Sequence, residues 1–179
     1  MKILILAALI GLSACATRPP APADAFMSQL RALCGQSFAG RLVTTDPADA
    51  DMAGKPLTMH VRECSADQVR IPFHVGEDHS RTWVLTRTAP GVRLKHDHRH
   101  GLVEDKVSQY GGDSVSAGTS WRQEFPADAF SRELFIREGL PVSIGNVWAM
   151  EIQPGRVFAY ELRRTNRHFR VEFDLTRPL

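Results

Sequence analysis

The chain has little net charge, few cysteines and, past its first dozen residues, no long apolar run. Its 22 lysines and arginines are nearly matched by 20 aspartates and glutamates, for a formal charge of +2 over 179 residues. So even a balance gives no electrostatic footprint for nucleic acid, and none is expected as a partner. No segment beyond the start approaches the roughly 20 apolar residues a membrane-spanning helix needs. A Gly-x-Ser-x-Gly elbow and a phosphate-binding glycine loop are also missing, so neither signature directs the chain to serine-hydrolase or nucleotide chemistry. The cofactor and the oligomeric state stay open at this level.

The one apolar run is Ile3 to Leu12, within MKILILAALIGLSACATRPP and behind the positive Lys2. It is too short to span a bilayer and has the flanks of a secretory signal peptide. Leu12-Ser13-Ala14-Cys15 resembles the lipobox of bacterial lipoproteins. That resemblance implies cleavage before Cys15 and a diacylglyceryl group on its thiol, often with an acyl chain on its amine. Residues 1–14 are then the signal peptide, residues 15–23 the lipidated cysteine and a proline-rich tether, and residues 24–179 a single domain. Several acyl chains, at about 0.8 kcal/mol per buried methylene, hold a protein on a membrane without a transmembrane helix. Ala16, where an aspartate would imply retention at the inner membrane, implies the outer membrane, with the domain facing the periplasm. In that oxidising compartment Cys34 and Cys64 are expected to form a disulfide. The alternative is two buried thiols, since geometry decides pairing.

After the tether, Phe26, Met27, Leu30 and Leu33 recur at helical spacing, with Asp24 as N-cap and Gly35 as terminator. From Ser37 the period changes to two. Phe38 and Leu42 begin a strand, with Gly40 easing a bend. Met59 and Val61 follow, then Val69, Ile71, Phe73 and Val75, then Trp83 with Leu85 and Val92 with Leu94. Later come Trp121-Gln123-Phe125, Trp148-Met150-Ile152, Phe158-Tyr160-Leu162 and Phe169-Val171-Phe173. Such alternation marks strands with one buried and one wet face. Short turn-rich links between them, such as Gly76-Glu77-Asp78 and Thr165-Asn166, make successive strands antiparallel. Residues 127–138 form one helical interruption, with Phe130, Leu134 and Phe135 on a face. The expected fold is all-β with two short helices: an up-and-down meander of about eight to ten strands, closed as a barrel or curled as a half-barrel. The layout resembles the calycin architecture, which implies a lumen for a small apolar ligand.

VRLKHDHRHG, residues 92–101, places His96, His98 and His100 at alternate positions. Strand parity puts all three on the side of Val92 and Leu94, toward the interior or its open end, and sends Lys95, Asp97 and Arg99 to solvent. Side chains two residues apart on one face start about 6.5–7 Å apart, which two imidazoles can bridge to one zinc ion. Three roles stay open: a metal site, a polar lining for another ligand, or structural and solvated histidines. A fourth metal ligand would come from residues such as His60, His74, Glu151 or Glu161. Gly112-Asp113-Ser114 resembles the Gly-Asp-Ser block of one esterase family. That block belongs near the start of the domain and needs an Asp-x-x-His near the C-terminus, which this chain lacks, so a glycine-rich loop over Tyr110–Asp113 is the expectation.

RTWVLTRTAPGVRLKHDHRH, QYGGD, NVWAMEI and FRVEFDLTRP resemble segments of a family of secreted or lipid-anchored proteins of Gram-negative bacteria. The resemblance implies an envelope address and carries no activity. The first functional expectation is a lipid-anchored module holding a small, partly apolar ligand. A metal-binding protein or metal-dependent enzyme using the three histidines is the second, and a structural or partner-binding envelope lipoprotein the third.

Overall fold

A computed structural model describes residues 20–179; the expected signal peptide, the lipobox and Cys15 lie outside the described residues. Helix α1 (Pro22–Ala32) leads into strands β1 (Ser37–Leu42), β2 (Leu57–His60), β3 (Gln68–Val75), β4 (Asp78–Arg87) and β5 (Val92–His100). The short β6 (Val103–Glu104) and β7 (Tyr110–Asp113) follow, then β8 (Arg122–Pro126) and helix α2 (Ala129–Arg137). Strands β9 (Val147–Gln153), β10 (Val157–Arg164) and β11 (Arg167–Pro178) complete the chain. One antiparallel sheet runs β6-β5-β4-β3-β2-β1-β11-β10-β9-β8, with β7 pairing β5 off that path. It is a curled half-barrel, the calycin-like all-β class expected. The first and last strands meet inside the sheet, where Arg41 opposes Glu172. The opening of the curl therefore falls between β7 and β8.

Alternation explains the core. Val69, Ile71 and Phe73 from β3, Trp83 and Leu85 from β4, and Phe158, Val171 and Phe173 from β10 and β11 are buried on the concave side. Gly40 makes room for this packing: a Cβ there would sit 2.6 Å from the Phe173 ring, and the β1–β11 register shifts at the same place. Trp121 departs from its expected inward place; it precedes β8 and is 45% exposed. On α2, Ser131, Leu134 and Phe135 form the buried face and Phe130 lies half outside.

Helix α1 closes one end of the half-barrel with Phe26, Met27 and Leu30, all fully buried. It starts at Pro22, inside the stretch expected to be an extended tether, with Ala21 rather than Asp24 as N-cap. Proline fits the first helical turn because no intrahelical partner exists there for the N–H it lacks. Asp24 instead sits in that turn and pairs with Arg87 at the end of β4, 2.6 Å away. The Cys34–Cys64 disulfide is formed, with Cα atoms 6.3 Å apart, and fastens the exit of α1 to the β2–β3 connection. Leu179 N–H bonds to Ser37 O beside the same helix, so both ends of the described chain lie at this closed end.

Candidate functional site

At the other end of the half-barrel the aromatic core parts around a cavity of about 240 Å³. Phe73, Trp83, Tyr110, Trp148, Tyr160 and Phe169 line it. Phe73 stacks on Trp83 at 4.7 Å between ring centres, and Trp83 on Tyr160 at 4.5 Å. Phe135 from α2, with Leu140 and Asn146 from the segment behind it, covers one side. Asp49 and Met52, from the β1–β2 connection, cover another.

Strand β5 brings the histidines here in part. His96 is buried, and its Nδ1 lies 3.1 Å from the Tyr110 carbonyl oxygen. A carbonyl only accepts, so Nδ1 carries the proton and Nε2 accepts from the Tyr160 hydroxyl at 2.7 Å. Burial, reinforced by the charge of His98, pushes the ring down to about 3 and keeps it neutral. His98 lies above it, with Nε2 3.0 Å from the Tyr110 hydroxyl; burial first, then the charge of Arg81, lowers its pKa as well. Burial raises both tyrosines, so the phenols stay protonated.

His100 does not join them. Its side chain is 71% exposed and faces Asp105 at 3.6 Å, because β5 runs out past the cavity mouth into the hairpin with β6. Of the three roles left open for these histidines, the geometry brings His96 and His98 to the cavity wall and leaves His100 outside it. A metal at His96 would have to displace Tyr160, and among the described residues no three His, Cys, Asp or Glu side chains gather as a ligand set. The suggested fourth ligands are also elsewhere. Glu151 and Glu161 lie on the convex face, held by Arg122 and Arg170. There burial, which would raise their pKa values, is outweighed by the guanidinium bonds, which lower them. His74 stacks on His79 at 3.9 Å, on the side of β3 away from Phe73. Asp97 was expected in solvent but is 5% exposed, because Arg70, Arg99 and Gln109 fold over it.

Tyr110–Asp113, expected as a loop, is strand β7. Gly111 and Gly112 are required by contact on both sides: a Cβ would lie 2.0 Å from Leu94 O or 1.8 Å from Pro126 O respectively. The Asp128 N–H donates to Gly111 O at 2.9 Å, bringing the two free edges of the curl together. Asp113 pairs with Arg93, and Ser114 Oγ accepts from Val92 N–H. Neither side chain points to nucleophilic chemistry.

Two cationic side chains reach the cavity wall, and both are already paired. Arg167 is clamped by the buried Asp49 and by Asp46 at 3.2 Å; Arg81 is bound by Asp78. Sequence reading passed over these residues and Asn146; Arg167 and Asp49 are 118 residues apart and Asn146 and Arg164 are 18 apart, while Arg81 and Asp78, three residues apart, carry no motif. One signal was present: the chain has only two tyrosines, and their hydroxyls bond His96 and His98. Comparison with protein-family models, with curated proteins and with solved structures gives no match.

Proposed function

We propose that the protein is a small-ligand-binding module of the bacterial envelope. The cavity carries this reading: one end of the half-barrel is filled solidly by α1 and its neighbours, while the other keeps an aromatic-walled space with a few polar groups. Concave, mostly apolar sites with sparse convergent polar groups are the usual form of ligand pockets. A dry apolar cavity of about 150 Å³ accepts benzene, so 240 Å³ suits a somewhat larger, partly apolar molecule.

The address rests on the sequence. The lipobox resemblance at Leu12–Cys15 supports a lipid anchor on Cys15 and, with Ala16, an outer-membrane location facing the periplasm. The Cys34–Cys64 disulfide is in keeping with an oxidising compartment. Two experiments separate these parts. Metabolic labelling with palmitate is expected to mark the protein and to miss the Cys15→Ser variant; an unlabelled parent would remove the anchor. Thermal unfolding of the detergent-solubilised protein with a panel of small ring compounds tests binding. A ligand at 100 times its Kd adds about 2.7 kcal/mol, and the response is expected to vanish in Val107→Trp, since Val107 lines the cavity and the larger ring fills it. An unchanged response in that variant would place binding elsewhere.

A further inference from the structure

We infer that the ligand is an uncharged, flat molecule of one or two rings carrying a hydrogen-bond acceptor, an inference that rests on the cavity being a binding site. Three observations converge on that class. The walls are aromatic: the Phe73–Trp83–Tyr160 stack forms one side, and the His96–Tyr110 pair, stacked at 4.5 Å, forms another. Aromatic faces favour offset-stacked or edge-on ring partners, and the volume admits little beyond a bicyclic ring.

The charges are spoken for. Arg81 and Arg167 are the cations at the wall, held by Asp78 and by Asp49 with Asp46. An anionic ligand would compete with those carboxylates for guanidinium groups already bonded. A cationic ligand would face both guanidiniums, with no unpaired carboxylate on the wall to offset them. His96 and His98 add no charge, as their burial keeps them neutral. Placing either kind of ion in such a site costs desolvation without a free counter-charge.

Among the neutral amide and aliphatic hydroxyl donors on the wall, Asn146 is the buried one; the hydroxyl-bearing Thr82 and Ser143 are half-buried. Asn146 is 6% exposed and lines the cavity. Its Oδ1 accepts from Arg164 at 3.0 Å; arginine only donates, which fixes that atom as oxygen and leaves the amide NH2 as the other one. That NH2 has no partner among the described residues and is the donor that would meet a carbonyl or similar acceptor on the ring.

The chain supplies its own reporters. Trp83 and Trp148 line the cavity, while Trp121 is exposed outside it, so their three indole N–H signals in a 15N–1H spectrum separate local binding from general effects. The test titrates the 15N-labelled protein in detergent with benzamide, benzoate, benzylammonium and toluene at pH 7. Benzamide is expected to shift Trp83 and Trp148, leave Trp121 in place, and bind about tenfold or more tighter than either ion, a ratio worth about 1.4 kcal/mol. Asn146→Leu is expected to weaken benzamide about fivefold while toluene binds as before. Benzoate or benzylammonium binding as tightly as benzamide overturns the inference, as does benzamide binding that Asn146→Leu leaves untouched. Toluene binding without benzamide binding also overturns it but leaves the cavity as a site. If none of the four moves Trp83 or Trp148, the binding reading itself fails.

Discussion

A histidine that donates from Nδ1 to a carbonyl and accepts at Nε2 from a phenol has both ring nitrogens satisfied as the neutral species, and protonating His96 would set Nε2–H against the Tyr160 hydroxyl proton. The unfolded chain, with an ordinary histidine near 6.5, takes up that proton first. Its contribution to stability is therefore complete above about pH 6.5 and declines as the pH falls toward about 3. The full effect is on the order of a few kcal/mol, and His98 and His74, also lowered by burial, act in the same direction. Urea unfolding is expected to show stability dropping between pH 6.5 and 4.5, above the range where carboxylates titrate. The double variant His96→Leu/Tyr160→Phe should flatten that slope; an equal slope would mean that His96 does not stay neutral. Tyr160→Phe alone leaves Nε2 buried without a donor and should cost about 1–3 kcal/mol at pH 7.

Strand β7 shows how a four-residue element can depend on two absent side chains. Gly112→Ala places a methyl on the Pro126 carbonyl, backbone that cannot swing aside, so a loss of about 1–3 kcal/mol or more is expected. Gly101→Ala, at a positive φ of 64° with open space around it, isolates the conformational penalty alone, about 1–2 kcal/mol. Thermal melts that rank Gly101→Ala as the costlier change would contradict the packing of β7 against β8. At the other end, Cys34→Ser/Cys64→Ser opens a loop of 30 residues and should cost about 3–4 kcal/mol in chemical denaturation. Element by element, the alternation of residues such as Val69, Ile71 and Phe73 made the long strands legible. Strand β7 was not, since two glycines in four residues carry no alternation. Nor was the burial of Asp97, because what covers it, Arg70 and Gln109, comes from another strand and from the loop before β7.

Across the whole molecule, packing is graded from the solid α1 end to the cavity mouth. Native-state hydrogen exchange should follow that gradient: slowest in the middle of β3, β4, β9, β10 and β11, and fastest in the β5–β6 hairpin, where Leu102 is 97% exposed, and in residues 115–120. Fast exchange in the central strands would mean that the cavity end unfolds with the core. Parity along β5 was enough to send His96 and His98 inward. It could not supply Tyr160, 64 residues away, or the length of β5 that carries His100 past the mouth. The cavity is a property of where distant strand ends meet, and that meeting is set by the closure of the sheet rather than by any one segment.

Pro20 and Leu179 are both exposed and both sit at the end plugged by α1. Whatever is joined to either side of the described chain, whether a tag, a fluorescent partner or a sensor surface, emerges away from the aromatic mouth. A protein tethered through either end would present its cavity to the bulk solution, an orientation well suited to capturing small molecules from a flowing sample.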